Sequence, residues 1–185
     1  TQNNEGGWRY HPRRNDADVS VTICQIMALR AARNAGIYVP NETIDRCVDY
    51  IKQSQNPDGG FIYNTAGDGS QFPRSAAGVV ALYSAGIYEG DEITKGLDYL
   101  VEHAPRGGDV RSDHHYFYGQ YYAMQAMWHA GGQYWSRWYP QIRDEIIARQ
   151  QEDGSWIDPM GPVYGTAMAT LVLQMPNNFL SIFQR

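Results

Sequence analysis

At 185 residues, with 43% hydrophobic and 19% charged side chains, the chain has the make-up of a globular protein able to bury a core, and disorder is not expected. A net charge of −5 and a pI near 5.4 argue against nucleic acid or an acidic membrane as partner, since both select a basic face. No stretch approaches the roughly 18 apolar residues of a membrane span, Thr1-Gln2-Asn3-Asn4 is no signal peptide, and the chain gives no cellular address.

Taken in order, the segments read as helix after helix. Asp18 to Ala35 carries Val21, Ile23, Ile26, Met27 and Ala31 and stops at Gly36. Asn41 then caps a helix whose Ile44, Cys47, Val48 and Ile51 fall at i, i+3, i+4 and i+7. Ser75 to Ala85 and Asp91 to His103 form a second hairpin, with Ile93, Leu97, Tyr99 and Leu100 on the latter's apolar face. A third pair runs from about His115 to His129 and from Pro140 to Gln150, where Pro140 suits a first helical turn. A last helix near Gly165 to Gln174 ends before Pro176. The Ala- and Gly-rich helices are expected in an inner layer, the more charged ones outside. Cys24 and Cys47 do not make a disulfide framework and read as packed thiols, while His103 and His129, near helix ends, read as C-terminal caps.

The helices are punctuated by a Gly-rich turn that recurs at a period of roughly 50 residues, the mark of a helical repeat. The copies are Gln2-Asn3-Asn4-Glu5-Gly6-Gly7-Trp8, Gln53 to Gly59-Gly60-Phe61, Pro105-Arg106-Gly107-Gly108-Asp109-Val110 and Gln150-Gln151-Glu152-Asp153-Gly154-Ser155-Trp156. The third has lost both its Gln and its aromatic. Ala35-Gly36, Ala85-Gly86 and Ala130-Gly131 keep step with the turns, so the unit is a helix ending at Ala-Gly, a short link, a second helix and the turn. Gly59 and Gly154 are expected in conformations closed to residues with side chains, and Trp8, Phe61 and Trp156 as structural staples.

These repeated Gln, Asp-Gly-Gly and aromatic letters resemble the QW repeat of the terpenoid cyclases and protein prenyltransferases, in which Gln and Trp staple an outer helix to the next inner one. The resemblance covers nearly the whole chain and implies an all-α fold, one α/α toroid of about four repeats over residues 1–185. Complete rings in that family hold more hairpins, so the toroid is expected to be partial. The chain opens inside a repeat landmark, which predicts a fragment from which a preceding hairpin, and any leader, has been cut away. Apolar faces at the open ends of such an arc would seek a second copy or the missing N-terminal hairpins.

Squalene-type cyclases carry an Asp-x-Asp-Asp-Thr motif whose middle Asp donates a proton to the polyene. Asp16-Ala17-Asp18-Val19-Ser20 resembles it, with Asp18 on the donor and Asp16 beside it, but Val19 replaces the last Asp and Ser20 the Thr. An acid that protonates an alkene needs several partners around it, and losing one weakens the arrangement. The plainer reading is a helix cap by Asp18 or Ser20, with Asp16 favoured by the positive end of the helix. Zinc of the prenyltransferase kind is not expected. Asp45-Arg46-Cys47 has the letters but lies on an outer helix, and Gly119 stands where the His ligand would be. Neither metal nor cofactor is therefore assigned.

Residues 111–122 have the most unusual composition. Tyr118, Tyr121 and Tyr122 share one side of a helix, with His115 one turn before and Arg111 ahead of it. Such a wall can line a ligand site or simply pack. The leading expectation is a toroid whose aromatic concave face binds an apolar or polyisoprenoid ligand, with degenerate cyclase chemistry. A proton-initiated cyclase completed by missing hairpins is a second. A third is a carbohydrate-active toroid, such as a polysaccharide lyase, using Tyr and His as acid and base with Arg111 holding an acidic sugar.

Overall fold

The computed structural model describes residues 1–12, 16–63, 69–105 and 115–179. Within them the fold is all-α: α1 Val19–Asn34, α2 Asn41–Gln53, α3 Phe72–Ala85, α4 Asp91–Glu102, α5 Tyr116–Ala130, α6 Gly132–Ala148 and α7 Pro162–Gln174, closed by a short 3-10 turn at Met175–Asn177. No helix among the described residues is long and apolar enough to cross a membrane.

The odd-numbered helices pack on one another in series, α1 on α3, α3 on α5 and α5 on α7. The even-numbered helices form a second layer, α2 against α3 and α1, α4 against α3, α6 against α5 and α7. Sequence chemistry sorts the two layers. Each even helix has one apolar stripe, such as Ile44, Cys47 and Ile51 on α2 or Ile93, Leu97 and Leu100 on α4, and turns its charges to water. By contrast α3 is buried nearly all round from Phe72 to Tyr83, which its small residues permit. At Gly78 a side chain would strike the Phe61 ring, and at Gly96 it would strike Val79.

The recurring turns have one geometry. In turn 2–8 the Asn3 N–H bonds the Gly7 carbonyl, in turn 55–61 the Asn56 N–H bonds that of Gly60, and in turn 150–156 the Gln151 N–H bonds that of Ser155. Each is clasped by a glutamine amide on the Gly6, Gly59 or Gly154 carbonyl, from Gln2, Gln55 and Gln150. The aromatic that follows is buried in each case, and its backbone N–H bonds a hydroxyl on the next odd helix: Trp8 to Thr22, Phe61 to Ser75 and Trp156 to Thr166. Of the two glutamines in the second copy, Gln53 and Gln55, the one that clasps the turn is Gln55.

Several boundaries differ from the sequence reading. α3 begins at Phe72, with Pro73 in its first turn, and α5 begins after His115. α6 begins at Gly132, so Pro140 lies inside it. The lost N–H is outweighed by packing: Trp135 stacks on Tyr139 at 4.4 Å and meets Trp128 at 4.9 Å, while Trp138 and Ile142 are buried. Asn41 is the first helical residue rather than the cap, and its side chain accepts a 2.6 Å bond from Arg33. Cys47 is a packed thiol as expected, but Cys24 is exposed.

Candidate functional site

Asp18 sits at the mouth of α1, where extended backbone meets helix. Its N–H bonds the Trp8 carbonyl at 3.0 Å, so the first turn delivers the chain directly into the cap. Its Oδ1 accepts from the Val21 N–H at 2.7 Å, as a helix cap does. Its Oδ2 faces Arg9 at 3.2 Å and the Tyr63 hydroxyl at 3.4 Å. Arg9 also pairs with Asp16 at 3.2 Å, and its guanidinium lies 5.2 Å from the Tyr63 ring centre. Asp16 is half exposed, whereas the Asp18 side chain is wholly buried. Burial holds the Asp18 carboxyl above its ordinary value, outweighing the Val21 N–H, Arg9 and Tyr63, all of which pull it down. Val19, at the place of the motif's last Asp, is buried apolar surface.

The three tyrosines do come together. Tyr122 meets Tyr118 at 4.8 Å and Tyr121 at 4.9 Å, both edge to face. His115 lies 6.2 Å from Tyr118, exposed, at the α5 N-cap. Arg111 falls outside the described residues, as does His114. The cluster reaches across α3 towards α1, where Ser20 is the polar neighbour of Tyr118 and the Cys24 Sγ lies 3.9 Å from the Tyr122 hydroxyl. Burial raises all three phenols, which disfavours their phenolate form.

Further along the same helices a cleft of about 380 Å³ opens between α1 and α5, with α3 as its floor. Met27, Ala31 and Val80 give it apolar surface, and Arg30, Gln125 and His129 give it polar groups. Arg30 is held by a 3.3 Å bond to the Tyr83 carbonyl, Gln125 by one of 3.3 Å to the Tyr121 carbonyl, and the His129 ring packs 5.2 Å from that of Tyr83. His129 is therefore a cleft-lining residue as well as a last-turn residue of α5. His103 is the C-cap residue of α4, its ring stacked on Tyr99 at 4.1 Å. Sequence reading placed Met27 and Ala31 in an apolar stripe and did not find Gln125. The available signal was a pair of i, i+4 polar residues, Gln125 and His129, at the same depth along α5 as Met27 and Arg30 along α1. Neither Asp16, Asp18 nor the tyrosines line this cleft.

A larger cavity, of about 630 Å³, lies between α4 and α6, with Gln120 of α5 among its lining residues. Among the described residues no three His, Cys, Asp or Glu side chains converge as a metal set would, and burial in the apolar stripe of α2 pushes the Cys47 thiol up to about 12. No family model matches the sequence, and no curated protein is detectably similar to it.

Proposed function

We propose that this chain is an arc of an α/α toroid that binds a small apolar ligand, such as a short polyisoprenoid, in the cleft between α1 and α5, without cyclising it. The observation that carries the reading is the separation of cleft and acid. A proton donor must touch the alkene it protonates, and geometry comes before pKa. Asp18 lines neither cavity, and its two oxygens are engaged by the Val21 N–H and by Arg9. Its raised pKa alone fits an acid, but burial beneath a cap produces the same shift.

The cleft's size sits at the low end of small-molecule sites, ~300–1,000 Å³, which favours a short prenyl chain over one of squalene length. Met27, Ala31 and Val80 would take the hydrocarbon, and Arg30, Gln125 or His129 a hydroxyl or other polar head. A lyase reading is weaker, because the tyrosines that would act as base are buried, which disfavours their phenolate form.

Titration with dansylated farnesol tests the binding. Ala31 is exposed on α1 and lines the cleft, so Ala31→Trp fills it without disturbing the core. Saturable fluorescence enhancement in the wild type, weakened at least about tenfold in Ala31→Trp, is expected. Equal enhancement in both proteins would remove the cleft as the site.

A further inference from the structure

We propose that the α4/α6 cavity is a second ligand site, built to take a neutral planar molecule that carries a carboxamide-like donor and acceptor pair. Internal repetition supplies the argument. In the first two units the Gln-Gly turn presses against the even helix that follows it, the Gln2 amide on the Thr43 carbonyl of α2 and the Gln55 amide on the Glu92 carbonyl of α4. Gln55 stands five residues after Tyr50, and five residues after Tyr99 the third unit has Ala104, which offers no amide. The cavity of about 630 Å³ opens there, between α4 and α6, with Val101, Ala104, Trp138 and Ile142 in its walls.

Gln120 is the second departure. The bonds from Thr22 N–H to the Asp18 carbonyl, Ser75 N–H to that of Gln71 and Gly119 N–H to that of His115 set the three helices in register. In that register Gln120 replaces Ile23 and Ala76, both fully buried and apolar. Gln120 is 1% exposed, yet neither its Oε1 nor its Nε2 has a hydrogen-bond partner among the described residues. A buried amide in that state is costly, and an apolar side chain would avoid the cost. What satisfies both atoms at once is a partner that presents an acceptor and a donor side by side, which a carboxamide, lactam or carboxylic acid does. The charged groups of the cavity decide among these. Asp98, Glu102 and Glu145, the last paired with Arg149, stand against Arg137, a net acidic lining that disfavours a carboxylate and admits a neutral amide. The Trp138 indole provides an aromatic wall for a planar body.

Nuclear magnetic resonance on nitrogen-15-labelled full chain tests this, with the Gln120 side-chain NH2 signal identified by its loss in Gln120→Met. Benzamide and indole-3-carboxamide are the probes, benzoate the charged control. Saturable movement of the Gln120 signal by the carboxamides is expected, with benzoate weaker by about tenfold or more. Gln120→Met should lose that binding while its melting temperature holds or rises, because the amide serves the ligand and not the fold. Val101 is partly exposed at the cavity wall, so Val101→Trp should fold normally and also abolish binding, which keeps the test valid if Gln120→Met misfolds. No saturable shift with either carboxamide would overturn the proposal. So would contacts from the Gln120 NH2 to residues 106–114 without probe, since the chain's own third turn would then fill the space.

Discussion

Turn 55–61 and turn 150–156 have the same internal bonds and nearly the same glycine conformation, φ 87° at Gly59 and 84° at Gly154, but different surroundings. Gly59 lies on the backbone of α4, where a side chain would overlap the Lys95 carbonyl, whereas the nearest atom to a side chain at Gly154 is the Gln150 amide at 3.8 Å. Gln55 bridges its own turn and α4, while Gln150 holds only its own turn. Local letters therefore make the turn, and the following even helix makes it a clamp.

Substitution of the two glycines should separate those contributions. Gly154→Ala meets only the cost of a left-handed conformation, about 1 kcal/mol. Gly59→Ala adds steric overlap with helix backbone and should lose about 3 kcal/mol or more in urea unfolding. Equal losses would break the comparison. The glutamines give the next effect. Gln55→Ala removes two part-buried bonds and should cost about 1–2 kcal/mol, against under about 0.5 kcal/mol for exposed Gln150→Ala. Swapping the hydroxyls sharpens the contrast further: Ser75→Ala strands the buried Phe61 N–H at about 1–2 kcal/mol, while Thr166→Val strands the part-buried Trp156 N–H for less. Thermal melts of the two variants decide it.

The smallest effect lies at the first turn, which runs into Asp18. The folded carboxyl titrates above its ordinary value of 3.8 because burial disfavours the charge. The native state therefore holds the proton more tightly than the unfolded one, and this group's contribution falls as pH rises from about 3.8 through the raised value. The difference in melting temperature between wild type and Asp18→Asn should drift in that sense across this window and level off above it. A difference that is flat with pH would mean Arg9 and the Val21 N–H cancel the burial.

The repeat was legible because the clasp is local: a Gln four residues before a left-handed glycine and two more to an aromatic recur as letters. Its hydroxyl partners were not, since Thr22 and Ser75 follow their aromatics by 14 residues and Thr166 by 10. The shorter link before α7 breaks the spacing that the first two units share. Pro140 misplaced the start of α6 because part of what carries the helix past it comes from other helices, Trp128 of α5 against Trp135 and the Tyr139 hydroxyl bonded to the Leu173 carbonyl of α7. Asp18 was legible as a cap, and Tyr118, Tyr121 and Tyr122 as one cluster. The cleft itself was hidden, because bringing α1 and α5 together over α3 depends on how three helices pack, and no single segment encodes that.

The most direct measurement is to incubate the wild type and Asp18→Asn with farnesol, geranylgeraniol and squalene, then recover the lipid and analyse it by mass spectrometry. A binding cleft remote from Asp18 predicts retention of the short prenyl chains by both proteins, with every recovered hydrocarbon skeleton unchanged. Cyclised product from the wild type that disappears in Asp18→Asn would contradict it and make Asp18 the acid of an active cyclase.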